Sequence, residues 1–265
     1  MVADMARFCP LFSSSSGNCI YIGASGGGIL IDVGVSAKRT VNALRQIGVS
    51  PEDISAVFIT HEHSDHISGL KVFAGNNGLD VWASGGTLSA LGASGVLSGK
   101  FSVHEMPKEG VETAGMFVRA FHTPHDSAES VGYTVVTQDG KRVAVATDLG
   151  TVTQEVMNAI YGSELVMLES NHDVGMLRSG PYPYYLKQRI LSDRGHLSNE
   201  SCSETAIKLL DGGTTRFVLG HLSRQNNFPQ LAYETTNSAF TMHGAVNGSD
   251  YLLEVAGDNG RVISF

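Results

Sequence analysis

The sequence predicts an α/β fold in which two mixed β-sheets pack face to face and are flanked by helices. Short apolar runs of strand length alternate with amphipathic helical segments, and a similar order of elements recurs in the two halves of the chain. The 31 glycines exceed average usage and many lie between these runs, as a fold with many strands and tight turns requires. The 265 residues are enough for one large domain or two small ones.

The composition indicates a globular protein with a sizeable core. Hydrophobic residues make up 42% of the chain and charged residues 17%, which excludes a disordered class. The net charge of −8 argues against a broad basic surface, so any nucleic acid would be held by a few local cations or by metal. The composition does not indicate an oligomeric state.

The cysteines and the N-terminal segment predict where the protein works. Cys9, Cys19 and Cys202 are too few and too scattered for a disulfide framework, which favours a reducing compartment. The first ten residues lack the pattern of a signal peptide, and no apolar run approaches membrane-spanning length. We therefore expect a cytoplasmic protein without a membrane partner.

The first half of the chain is predicted to alternate strands and helices. Strands at 8–12 and 20–22 flank a serine-rich segment, 13–18, which is typical of a hairpin loop but could also contact a phosphate through its hydroxyl and N–H groups. A buried strand at 28–31 ends at Asp32, and Ser36 caps an amphipathic helix that ends near Ile47. Further strands are predicted at 54–59, 81–83, 101–103 and 116–121, and a further helix near 87–91.

The second half repeats this alternation. Strands are predicted at 131–136, 142–146, 165–168 and 217–220, with a turn at Asp139-Gly140 and closing strands at 251–255 and 261–265. A helix is predicted to begin in the segment 181–189 and to end near Ser192. Two more are predicted from 199 to 210 and from 229 to 243. The segment Pro181 to Arg189 mixes tyrosine with basic residues; its aromatics could stack on bases, but a helix that packs its tyrosines on the sheet is favoured.

The residues that most clearly indicate chemistry follow the apolar run 54–59. They read Thr60-His61-Glu62-His63-Ser64-Asp65-His66. Three imidazoles and a carboxylate within six residues are hard to satisfy in a half-buried turn without a cation, because they compete for few donors. A solvated polar turn is the alternative. His61 and His63 can converge on one cation, while Asp65 and His66 point elsewhere and can hold a second.

Four more apolar runs end at residues of the same kind. They end at His125, Asp148, Glu169 and His221, and strand ends on a rigid sheet are good places for a site. His122 competes with His125, but it continues its strand, whereas His125 lies beyond Pro124 and is free to turn towards a metal. Asp148 is the carboxylate that we expect two cations to share, since each oxygen can bind one metal; a helix cap is the alternative.

The sequence His61-x-His63-x-Asp65-His66 is similar to the HxHxDH motif of the metallo-β-lactamase-fold hydrolases. Five further segments resemble the YycJ/WalJ-like nuclease group of that superfamily: Ser-Gly-Asn-Cys, Thr-Asp-Leu-Gly, Glu-Ser-Asn-His-Asp, Gly-His-Leu-Ser-Asn and His-Leu-Ser-x-x-Asn-Asn. The resemblance covers essentially the whole chain. It implies a single metallo-β-lactamase-like domain with the αββα sandwich.

The resemblance also implies a division of ligands between two divalent metal ions. His61, His63, His125 and Asp148 hold one metal, and Asp65, His66, Asp148 and His221 hold the other. Imidazole and carboxylate ligands without thiolate suit zinc or manganese, and iron is also compatible with them. A dinuclear site of this kind activates a hydroxide, with Asp65 counted among the catalytic groups.

Further roles are implied for residues that the metals do not need. Asp32 orients a ligand histidine, although a turn or helix cap is the alternative. Glu169 and His196 resemble a couple that donates a proton or positions a phosphate. Ser223, Arg224 and Asn227 follow His221 within reach of a phosphate, with Arg224 otherwise an ordinary surface cation.

The implied function is that of a metal-dependent phosphodiesterase or nuclease, and a 5′ to 3′ DNA exonuclease in particular. DNA is favoured over RNA because the chain has no room for the inserted domain of RNase J relatives. Two alternatives remain open at this stage: hydrolysis of a thioester or lactone on the same fold, and a metal-binding module without catalytic activity.

Overall fold

A computed structural model describes residues 6–24, 27–97, 100–257 and 261–265. The chain divides into two compact units. Unit 1 comprises Met1–Ala120, Ser127–Lys141 and Gly257–Phe265, and unit 2 comprises Phe121–Asp126 and Arg142–Ala256. The two units are described separately.

Unit 1 contains a complete seven-stranded mixed sheet. Its strands are β1 (Arg7–Ser14), β2 (Gly17–Ala24), β3 (Gly27–Ile31), β4 (Ile54–Phe58), β5 (Asp80–Ala83), β6 (Ser102–Glu105) and β14 (Ile263–Ser264), in the order β14-β1-β2-β3-β4-β5-β6. The ladders from β14 to β3 are antiparallel and those from β3 to β6 are parallel.

Helices of unit 1 connect its parallel strands. They are α1 (Ala37–Gln46), α2 (Ser64–Ile67), α3 (Leu70–Asn77) and α4 (Gly85–Ala93). The predicted cap of α1 is confirmed, since the Ser36 side chain accepts a hydrogen bond from the Arg39 N–H at 3.4 Å. A buried core of aliphatic and aromatic side chains includes Leu30, Leu44, Val57, Phe73 and Val81.

The second mixed sheet consists of strands β7 to β13. Unit 1 contributes β7 (Val111–Thr113), β9 (Val131–Val136) and most of β8 (Met116–His122), with β7 and β8 antiparallel. Unit 2 contributes β10 (Arg142–Ala146), β11 (Leu165–Glu169), β12 (Arg216–Gly220) and β13 (Leu252–Val255), which pair in parallel in that order. Strands β10, β11 and β12 are almost entirely buried, as parallel strands covered by helices are.

Helices of unit 2 connect its parallel strands. They are α5 (Gln154–Ile160), α6 (Val174–Ser179), α7 (Tyr184–Ile190), α8 (Asn199–Asp211) and α9 (Pro229–Met242). Apolar side chains of α5, α8 and α9 pack with strand residues in one core, for example Val156, Leu209 and Phe240 with Val166 and Leu219. Two mixed sheets with flanking helices confirm the predicted α/β fold class.

Some details differ from the sequence prediction. The short strand β7 and the helix α6 were not predicted, because each is too short to show a periodic pattern. The prediction that the tyrosines of the 181–189 segment pack on the sheet is wrong: α7 buries none of its residues. Among the described residues, no helix is long and apolar enough to cross a membrane.

Candidate metal and catalytic site

Parallel pairing brings the predicted site residues together at strand ends within each unit. In unit 1, Ile31 of β3 pairs with Phe58 of β4, so Asp32 and the Thr60–His61 segment leave the sheet at one edge. In unit 2, Glu169 of β11 pairs with Gly220 of β12, and Ala146 of β10 pairs with Leu168. The carboxyl ends of neighbouring parallel strands are where open α/β sheets place their sites.

Asp32 organises the cluster in unit 1. Its carboxylate accepts hydrogen bonds from the Thr60 N–H at 2.9 Å, the Thr60 hydroxyl at 2.9 Å and His66 Nδ1 at 2.7 Å. Burial raises the pKa of Asp32, and the His66 and Thr60 donors act in the opposite direction. Asp32 is thus hydrogen-bonded to His66, the histidine that it would orient; the role of His66 as a metal ligand stays a prediction.

The hydrogen bonds of Thr60 fix the protonation of His61. The Thr60 hydroxyl donates to Asp32, so it must accept from His61 Nδ1, which lies 3.0 Å away. The lone pair of neutral His61 is then on Nε2, and this atom lies 3.0 Å from His63 Nδ1. Two ring nitrogens that face each other at this distance form a ready pair of metal ligands.

The Asp65-His66 part of the HxHxDH motif is also held by hydrogen bonds. Because His66 Nδ1 donates to Asp32, the lone pair of neutral His66 is on Nε2, which lies 3.5 Å from Asp65 Oδ2. The Asn18 side-chain amide lies 3.1 Å from the same Nε2 and 3.4 Å from the Asp65 carbonyl oxygen. The sequence predicts a hairpin loop or a phosphate contact for the segment that contains Asn18, and this contact with Asp65 and His66 was not predicted.

Glu169 organises the cluster in unit 2. Its side chain is 0% exposed and accepts four hydrogen bonds: from His196 Nδ1 (2.9 Å), from His221 Nδ1 (2.7 Å) and from the N–H groups of Leu149 (3.0 Å) and Leu197 (3.1 Å). Burial acts to raise the pKa of Glu169, but the two histidines more than offset it, so the pKa is lowered. A buried carboxylate with four donors stays ionised and positions its neighbours.

Glu169 thereby orients His221 and His196. Each donates Nδ1–H to the carboxylate, so Nε2 of each faces away from it. His221 Nδ1 also lies 3.4 Å from Asp148 Oδ1. One nitrogen or carboxylate oxygen from each of four residues lies within 4.8 Å of the others: Asp148, Glu169, His196 and His221. A histidine whose second nitrogen is fixed by a carboxylate is the usual form of a metal-binding histidine.

His125 is fixed by a main-chain acceptor. It is buried, and its Nδ1 donates to the Gly195 carbonyl at 3.1 Å, so Nε2 carries the lone pair. The Arg194 guanidinium donates to the His125 carbonyl at 2.9 Å. Burial lowers the pKa of His125, which keeps the ring neutral. The competing His122 is the exposed last residue of β8.

Three of these residues have strained backbones. Asp32, Asp148 and His221 have φ angles of 62°, 58° and 56°, in the left-handed region. Non-glycine residues there are uncommon and cluster at functional sites, where the surrounding structure holds them. Each lies within two residues of the end of a parallel strand.

The predicted phosphate-binding residues have different surroundings. The Asn227 amide donates to the carbonyl oxygens of Ser170 and Asn171 at 2.9 and 3.2 Å and pairs with Asn199, which favours a structural role. The Ser223 hydroxyl is buried and accepts from the Asn226 N–H. Arg224 is exposed. Their contact with a phosphate stays a prediction.

His172 is a buried histidine that was not assigned a role. It is 1% exposed, and neither ring nitrogen has a hydrogen-bond partner in the described part of the chain. Burial lowers its pKa to about 4; Glu169 and Asp173 act to raise that pKa, and His196 acts to lower it. His172 is therefore neutral in the folded protein near neutral pH.

This pKa predicts how stability depends on pH. A histidine in the unfolded chain titrates near 6.5, so between pH 6.5 and about 4 the unfolded state binds more protons than the folded state. The free energy of unfolding should fall by about 3 kcal/mol as pH is lowered through this window. Denaturant unfolding of wild type and His172→Gln, each at several pH values, measures the difference profile. A His172→Gln profile that matches that of wild type contradicts the assignment.

Comparisons with known proteins identify the family of this chain. Residues 14–221 match the family model of the metallo-beta-lactamase superfamily. The chain is 39% identical over 234 residues to the exodeoxyribonuclease WalJ of Streptococcus pneumoniae serotype 2, covering 86% of each protein. It is 37% identical over 235 residues to the exodeoxyribonuclease YycJ of Bacillus anthracis, covering 85% of this chain and 86% of that protein.

Among solved structures, the metallo-beta-lactamase fold protein YhfI of Bacillus subtilis has a TM-score of 0.74. It covers 99% of this chain and 100% of its own at 14% identity, which shows the fold. The chain belongs to the metallo-β-lactamase superfamily. That membership and the histidine and aspartate clusters support the use of divalent metal.

Proposed function

We propose that the protein is a metal-dependent exodeoxyribonuclease that hydrolyses DNA from the 5′ end. The observation that carries the proposal is the 39% identity to an exodeoxyribonuclease along 86% of both chains. The histidines with one nitrogen fixed in each unit support metal-dependent hydrolysis in particular.

The proposal keeps the ligand assignment that was made from the sequence. It assigns two divalent metals, zinc or manganese, to ligands that the described geometry of each unit fits. Unit 1 supplies His61, His63, Asp65 and His66, and unit 2 supplies His125, Asp148 and His221. Bound metals of this kind supply Lewis acidity and lower the pKa of water, which gives a nucleophile near neutral pH.

The protein's own contribution is to fix these ligands in advance. Asp32 and Thr60 hold His61 and His66 in the tautomer with the lone pair on Nε2, and Glu169 does the same for His221. Ligands with fixed orientation need no reorganisation when charge develops on the phosphate in the transition state.

His196 is the proposed general acid. Its Nδ1–H donates to the ionised Glu169, which holds the ring with Nε2 facing away from that carboxylate, and Nε2 can then give a proton to the leaving oxygen. Glu169 is fully buried and acts as a positioning residue for His196. The partial exposure of the His196 side chain, 19%, leaves it accessible to a substrate.

The alternatives considered for the sequence are not favoured. A thioester or lactone hydrolase has no need of the Glu169–His196 pair beside its metals. A metal-binding module without catalytic activity has no need of this pair either. A reducing, cytoplasmic location remains part of the proposal and agrees with three buried free cysteines at 9, 19 and 202.

Digestion assays test the proposed function. Protein loaded with zinc or manganese should cleave single-stranded DNA and a generic phosphodiester dye, and it should cleave DNA faster than RNA. A thioester substrate should remain intact under the same conditions. Hydrolysis of the thioester with DNA left uncleaved contradicts the proposal.

A further inference from the structure

The helix α7 presents an aromatic and basic surface that its own unit leaves uncovered. Tyr184 is 77% exposed and Tyr185 is 74% exposed, and they are the two most exposed tyrosines of the described residues. Large rings held in water are costly unless they serve a contact, because each ring can bury a large apolar area.

The face of α7 around Tyr184 is organised by helical spacing. One side of the helix carries four residues at intervals of three, one and three positions. They are Tyr184, Lys187, Gln188 and Leu191. Together with Arg178 they line a cavity of about 440 Å³. The Lys187 ammonium donates to the Arg178 carbonyl at 2.7 Å, which holds that cation beside the cavity.

The same stretch is basic within an acidic protein. Residues 178–194 contain four of the 18 Lys and Arg residues and only one of the 26 Asp and Glu residues. Arg189 is ion-paired with Asp126, whereas Arg178 and Lys187 belong to the Tyr184 face. Two cations of a protein with net charge −8 therefore lie beside an exposed aromatic ring, as local binding of nucleic acid requires.

The chain leads from this surface directly to the candidate site in unit 2. Four residues after α7, Arg194 binds the His125 carbonyl; Gly195 accepts from the His125 ring, and His196 follows. A seven-residue helix is about 10 Å long, the length of roughly three stacked nucleotides.

We propose that Tyr184, Tyr185, Lys187 and Arg178 form a stacking platform for single-stranded DNA that is being hydrolysed. This inference rests on the proposed function. Bases stack on the tyrosines, and phosphates meet Lys187 and Arg178, which is how proteins bind single strands without reading sequence. The exposed large apolar side chains of α7 are both tyrosines, whose rings can stack on bases.

Binding and kinetics of the metal-loaded full chain test the platform. The probe is a fluorescein-labelled, phosphorothioate-linked 20-nucleotide single strand, followed by anisotropy. Tyr184→Ala should raise Kd by about 5- to 150-fold, the effect of losing one stacked base, and Tyr184→Phe should restore wild-type Kd. Lys187→Ala should weaken binding and reduce the salt dependence of log Kd by about one unit of slope. KM for an ordinary 20-nucleotide strand should rise likewise, while turnover of a small phosphodiester dye stays at the wild-type rate.

Matched controls come from exposed residues of unit 2 away from α7. Tyr161 is 48% exposed and Lys208 is exposed, so Tyr161→Ala and Lys208→Ala should leave Kd unchanged.

Wild-type Kd in the Tyr184→Ala variant overturns the platform while leaving the nuclease proposal intact if DNA is still cleaved. A wild-type dimer that Tyr184→Ala dissociates also overturns it, because the surface then binds a second copy. Wild type that neither binds nor cleaves DNA overturns the proposed function itself.

Discussion

Asp148→Asn is expected to abolish DNA hydrolysis while leaving the protein folded. An amide lacks the charge that lets a carboxylate bind two cations, so activity should fall by at least about 10³-fold, equivalent to the several kcal/mol that metals supply. Asparagine is the suitable replacement because Asp148 has a φ of 58°, and asparagine tolerates the left-handed region better than most residues. Turnover of the phosphodiester dye and far-UV circular dichroism measure activity and folding.

The control for this variant is a second Asp→Asn change in the same unit. Asp211 is 59% exposed and paired with His243, so Asp211→Asn should retain wild-type turnover. Turnover at the wild-type rate by folded Asp148→Asn at saturating metal contradicts the bridging role of this carboxylate.

His196→Ala is expected to lower DNA hydrolysis by about 10²- to 10⁴-fold, the usual contribution of a positioned acid. Metal content should be unchanged, because His196 is not needed as a ligand. The loss should shrink on an aryl phosphodiester, since a good leaving group departs with little protonation. Steady-state rates on both substrates and elemental analysis measure these effects.

Comparing the two substrates separates the roles that His196 can have. An equal loss on DNA and on the aryl ester indicates phosphate positioning, and no loss on either returns His196 to a structural role beside Glu169. The exposed His243 gives the control His243→Ala, which should leave both rates unchanged.

The sequence predicted much of the fold because its patterns are local. Apolar runs such as 131–136 and 142–146 match β9 and β10 to the residue, and Ser36 caps α1 as expected. The strand-end residues were predictable for the same reason, since each apolar run of a parallel sheet ends at the edge where ligands gather.

The hydrogen bonds that orient the site could not be predicted in this way. Thr60 connects Asp32 to His61, and Gly195 fixes His125, through pairs 28 and 70 residues apart in sequence. The left-handed backbone at Asp148 and His221 has no signal in residues that rarely adopt it. The exposure of Tyr184 was missed because tyrosine serves equally in a core and on a binding surface.

Digestion of end-labelled DNA before and after metal removal tests metal-dependent 5′ exonuclease activity most directly. Protein dialysed against a chelator should leave a 20-nucleotide strand intact, and zinc or manganese added back should restore cleavage, with a maximum near two equivalents per chain. A 5′ label should appear at once as mononucleotide, while a 3′ label passes through progressively shorter fragments. Cleavage that persists in metal-free protein, or metal-loaded wild type that leaves both labelled strands intact, would contradict the assignment.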